Sequence, residues 1–131
     1  MRYNPGNVQR MAFALLIVAL LAPQGFAVDD VGLPLYPKAI LSSIVRHSGK
    51  GEGTQWVQVN FRTTASYDQV VKFYREKTGR HVHISKTDSE KVLNTLILFA
   101  KSPKDQINVN ISSKIGGKVT EVEISRNFVK D

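Results

Sequence analysis

His81 and His83 stand two residues apart in a stretch, His81 to Ser85, that reads as a short strand. Both imidazoles are therefore expected on one face, where neutral rings could hold zinc or copper. Two ligands do not complete a site. His47 is a candidate third, and Asp88 and Glu90 are the nearest acidic groups, but nothing in their spacing ties them to the pair. The plainer reading is a pair of partly exposed strand histidines beside Arg80. Nucleophilic chemistry has even less support, since no serine lies in a Gly-x-Ser-x-Gly elbow. Glu121 and Glu123 share a strand face expected to meet solvent, which does not identify an acid and a base. Ser48 to Gly53 is glycine-rich but lacks the Gly-Lys-Ser/Thr ending that positions nucleotide phosphates, so it reads as a hairpin loop. These patterns assign no catalytic residue, no metal site and no cofactor.

A binding surface is easier to locate. In Thr54 to Arg62, Val57, Val59 and Phe61 alternate with Trp56, Gln58, Asn60 and Arg62. A period of two sends these sets to opposite faces of a sheet, the apolar one toward the core. The sole tryptophan of the chain thus falls among amides and a guanidinium. Trp56, Gln58, Asn60 and Arg62 are the candidate ligand- or partner-binding residues, because an indole offers large contact area at little entropy cost. Asn108 and Asn110 are candidates to extend that surface. The competing expectation is that the proline-rich leader, a loop or a neighbouring strand covers Trp56 as a second small core.

The elements that must carry these residues follow from the pattern. Val28 to Lys38 is a leader in which Pro34 and Pro37 favour an extended path. Ala39 to His47 reads as a strand, followed by the turn Ser48 to Gly53 and the strand Thr54 to Arg62. The period then changes to about 3.6. Ser66 and Gln69 form a capping-box pattern, Tyr67, Val70, Val71 and Tyr74 recur at helical spacing, and Gly79 supplies a stop. Strands are expected at His81 to Ser85, Val92 to Lys101, around Ile107, Val109 and Ile111, and at Lys118 to Ser125, with turns at Ser102 to Asp105 and Gly116-Gly117. The order β-β-α-β-β-β-β predicts an α+β fold, a mostly antiparallel sheet of five to six strands with one main helix on one face.

Leu33-Pro34-Leu35-Tyr36-Pro37-Lys38-Ala39, followed by Thr63-Thr64-Ala65-Ser66-Tyr67 and Val70-Val71-Lys72-Phe73-Tyr74, resembles small exported bacterial α+β domains of unknown function. Those domains carry a Tyr-Pro leader and a Val-Val-x-Phe-Tyr helix. The resemblance covers roughly the first half of the chain from Val28 onward and implies a fold, with no catalytic residues. Lys38 stands where many of those domains have glycine.

Residues 1–27 read as a signal peptide. Arg2 and Arg10 make a positive start, Met11 to Leu21 is an apolar run, and Gly25 and Ala27 are small residues ahead of a cleavage site that leaves Val28 first. The run is shorter than the ~20 residues a membrane span needs, and with no cysteine in the chain there is no lipid-anchor site. A periplasmic or secreted location is expected, with no stable membrane anchor after cleavage. Residues 28–38 are then a proline-containing leader and 39–131 a single domain.

Lys and Arg number 18 against 11 Asp and Glu. A basic excess favours anionic partners, yet no block of like charges marks a binding arm. Export removes the usual nucleic-acid partner, and one aromatic on the polar face is a poor stacking platform for bases. The expectation is an exported, non-enzymatic binding or accessory protein of the bacterial envelope, with an envelope protein or an anionic or glycan ligand as partner. The alternative is a small envelope hydrolase or metal-dependent enzyme whose site spacing does not reveal.

Overall fold

The alternation of Val57, Val59 and Phe61 and the helical stripe of Tyr67, Val70 and Tyr74 meet in one hydrophobic core. The computed structural model describes residues 31–79 and 82–129; residues 1–27, read above as a signal peptide, lie outside them, as do Arg80 and His81. Strand β1 (Val45–Lys50) turns back through Gly51, Glu52 and Gly53 into β2 (Thr54–Thr63). Gly53 takes a φ of 70°, a left-handed conformation that favours glycine.

Helix α1 (Tyr67–Thr78) follows, and its ends are set by local chemistry. The Ser66 hydroxyl accepts from the Gln69 amide, and the Gln69 side chain accepts from the Ser66 amide, which satisfies two of the free N–H groups at the helix start. Asp68 in the first turn and Arg75 and Lys77 in the last suit the helix dipole. Gly79 closes it.

The remaining strands are β3 (Val82–Lys86), β4 (Val92–Ser102), β5 (Asp105–Lys114) and β6 (Thr120–Val129). Together they make one six-stranded sheet in the order β1-β2-β6-β5-β4-β3. Every neighbouring pair is antiparallel. α1 therefore carries the chain from β2 to the opposite edge, and a meander returns it until β6 docks beside β2. The helix packs chiefly over β4 and β5. The inner sheet face contributes Val57, Val59, Phe61, Ile97, Ile107, Val109, Ile111, Val122 and Ile124 to the core.

Val31 and Leu33 of the leader are buried in that same core. The Tyr74 hydroxyl donates to the Pro34 carbonyl at 2.9 Å, and Tyr36 stands edge-on to Phe73 at 5.1 Å. Residues 31–38 of the leader thus pack beside α1 on the inner side and do not cover Trp56. Among the described residues no helix is long and apolar enough to cross a membrane.

Two boundaries differ from the sequence reading. Ala39 makes only an isolated bridge to Thr63, Leu41–Ser43 is a 3-10 turn, and the strand expected at Ala39 to His47 starts at Val45 and runs on to Lys50. The cause is Ser43, whose hydroxyl donates to the Ile40 carbonyl at 2.6 Å and accepts from the Arg62 amide at 2.9 Å. A side chain there takes the bond a ladder partner would make. The final strand continues past Ser125 to Val129, because it is paired on both sides there, with Thr54 to Gln58 of β2 and Asp105 to Asn108 of β5.

A bidentate ion pair closes one end of the inner face. Arg126 Nε and Nη2 donate to Asp105 Oδ1 and Oδ2, each at 2.8 Å, and the guanidinium lies 4.7 Å from the Phe128 ring centre. The hydrogen bonds from Arg126 hold the Asp105 carboxyl below its ordinary pKa. Asp105→Asn should cost about 1 kcal/mol at neutral pH in urea unfolding. Because the folded-state pKa is the lower one, that contribution is complete above the ordinary aspartate value of about 3.9 and is lost as pH falls through the folded value. The variant should show a shallower stability loss across that acidic window; identical pH profiles for the two proteins would dismiss the pair as a stabilising element.

Candidate functional site

Among the described residues no helix lies over the outer face of the sheet, and its register brings distant residues side by side. One row across the strands reads His47, Gln58, Ser125, Asn108, Leu98, His83. The next reads Val45, Asn60, Glu123, Asn110, Leu96, Ser85. Gly49, Trp56, Asn127 and Gln106 flank the first row, and Arg62, Glu121, Ser112 and Asn94 flank the second. Amides dominate the middle of this surface, and the two central rows contain no lysine or arginine.

Trp56, Gln58, Asn60 and Arg62 all lie on this face, as their alternation with buried Val57, Val59 and Phe61 requires. Trp56 is 42% exposed. Its indole lies across Gly49 of β1, where an added Cβ would sit 2.7 Å from Nε1. Glycine at that cross-strand position lets the ring lie flat on the backbone, which fixes its orientation while leaving its other side to solvent. The Gln58 Nε2 donates to Asn60 Oδ1 at 3.1 Å, and Asn94 Nδ2 donates to Asn110 Oδ1 at 2.7 Å. Among the described residues, each amide pair keeps an acceptor on the donor's carbonyl and N–H groups on the acceptor's amide without a partner.

Asn60 and Arg62 also border a shallow depression of about 270 Å³. Ser43, Asn110, Ser112, Glu121 and Glu123 complete its polar rim. Trp56 is not part of it: six residues of extended chain place it about 20 Å from Arg62. The four candidate residues therefore form a track with an aromatic plate at one end and a polar hollow at the other. Asn110, Ser112, Glu121 and Glu123 enter that hollow through the pairing of β6 with β2 and β5. Glu121 and Glu123 do share a strand face, and that face is this one.

The histidines do not assemble. His83 is exposed on β3 and His47 is exposed on β1, at opposite edges of the sheet. Five interstrand spacings of about 4.8 Å separate those edges by about 24 Å. His81 lies outside the described residues. Among the described residues no three His, Asp or Glu side chains come together as a metal would need. Comparison of the chain with protein-family models, with curated proteins and with solved structures finds no match.

Proposed function

We propose that the protein is an exported, non-enzymatic binding or accessory protein of the bacterial envelope, and that the outer face of its sheet takes a neutral glycan rich in hydroxyl and N-acetyl groups. The observation that carries this reading is the composition of that face: paired amides with free donors and acceptors beside a flat, half-exposed indole. Sugars present the same combination, with ring faces that stack on an aromatic plate and hydroxyls that donate and accept at the edges. The basic residues of α1, Lys72, Arg75 and Lys77, lie on the other side of the sheet, so net positive charge does not argue for an anionic ligand here. Export rests on the charge, apolar run and small residues of the first 27 positions.

Trp56 is the only tryptophan, so its fluorescence reports on the track directly. Titration with the tetramer of N-acetylglucosamine should give a saturable change with a dissociation constant of about 0.1–1 mM. Trp56→Ala, followed by calorimetry, and Asn60→Ala should each weaken binding about tenfold or more with the circular dichroism unchanged. A flat titration with the tetramer and with soluble peptidoglycan fragments would sink the glycan reading.

A further inference from the structure

Because α1 packs chiefly over β4 and β5, it stops short of the edge strand β3. Val82 and Ile84 point inward from β3, are half-buried, and floor an open cleft of about 690 Å³. The flank of α1 forms the opposite wall, with Tyr67 and Val71 as its apolar part and Asp68, Lys72, Arg75 and Glu76 as its charged part. Lys86 continues the inward-facing row of β3 and lines the same cleft. Its nearest acid is Asp88 at 3.6 Å, an exposed pair of the kind that contributes little and exchanges readily.

β3 ends the sheet, so one side of its backbone has no strand partner among the described residues. Edge strands are commonly blocked by charge, proline or a bulge. The other edge, β1, follows that rule, with exposed Arg46 and Lys50. β3 has neither proline nor a bulge, and the terminal Lys86 is its one Lys, Arg, Asp or Glu. An edge with a single charge at its end, beside a cleft with an apolar floor, is an arrangement that lets an extended peptide add as a strand, its main chain bonding to the edge and alternate side chains entering the cleft.

We propose that β3 and the cleft beneath α1 form a docking site for an extended segment of a partner protein, one whose inward-facing residues read acidic, apolar, apolar. The register supplies that pattern. In an antiparallel added strand, the acidic residue stands opposite Lys86, and the two apolar residues stand opposite Ile84 and Val82. This surface is on the opposite side of the sheet from the glycan track, and the two readings stand or fall separately.

The test uses a labelled hexapeptide, acetyl-Glu-Thr-Val-Thr-Val-Thr-amide, titrated into the isotope-labelled protein. Amide shifts should concentrate in Val82–Lys86 and the Tyr67 to Arg75 flank, and amide exchange in β3 should slow about tenfold at saturation. Lys86→Glu should weaken binding about tenfold, and a peptide carrying lysine in place of glutamate should restore it. No shift at about 1 mM peptide, shifts confined to the outer face, or binding indifferent to Lys86→Glu would each overturn the proposal. So would concentration-dependent shifts of β3 without peptide, which would make the edge a contact between copies, or protection of β3 by phosphatidylglycerol vesicles and not by peptide.

Discussion

Tyr74→Ala should destabilise the protein by about 3–5 kcal/mol. A domain of this size has about 5–15 kcal/mol in total, so the variant should be at or near the limit of folding. Tyr74 is fully buried, stands edge-on to Phe73 at 4.9 Å, and its hydroxyl ties the leader to the helix through Pro34. Tyr74→Phe separates these contributions: it keeps the ring and leaves the Pro34 carbonyl without its donor, for a loss of about 1–2 kcal/mol. Burial raises the phenol's pKa far above its usual value. The folded protein therefore keeps this proton at pH values where the unfolded chain releases it, so stability is complete below about pH 10 and declines as pH rises beyond it. Urea unfolding of the wild type and both variants, repeated on the alkaline side, measures all three effects. A Tyr74→Ala midpoint within about 1 kcal/mol of wild type would remove Tyr74 from the core.

Phe61→Ala and Trp56→Ala should diverge sharply although the residues share one strand. Phe61 is 2% exposed and packs among the core residues of the inner face. Its truncation should cost about 3–5 kcal/mol. Trp56 lies over Gly49 on the outer face and is 42% exposed, and its loss should cost about 1 kcal/mol or less. Denaturant unfolding of the two variants checks the sidedness of β2, and comparable losses would mean that the indole is a core residue after all.

That sidedness was legible from the sequence because period-two alternation over Trp56 to Arg62 leaves a single solution for the faces. Ser66, Gln69 and Gly79 were equally readable, since capping is a short-range interaction between residues a few positions apart. Ser43 was not. Its hydroxyl reaches the Arg62 amide across 19 residues, and no local pattern announces a side chain that substitutes for a strand. The hollow beside Arg62 was hidden for the same reason on a larger scale. Asn60 and Arg62 could be assigned to a polar face, but that Glu121 and Glu123 would stand opposite them depends on which strand β6 chooses as its neighbour. Alternation specifies faces and leaves strand order open.

The position of β6 has a consequence for the order in which the chain can assemble. It is the last described strand, yet it lies inside the sheet and joins the β1-β2 hairpin to the β3-β4-β5 meander. Until Thr120 to Val129 emerges from the ribosome, the upstream strands form two separate fragments, each with an open edge and an incompletely covered apolar face. Val57, Val59 and Phe61 then have no central strand to pair beside, and closing that gap requires contacts between residues about 66 positions apart, which are slow to form. The six-stranded sheet therefore cannot close until Val129 has been made, however early the hairpin and the helix form.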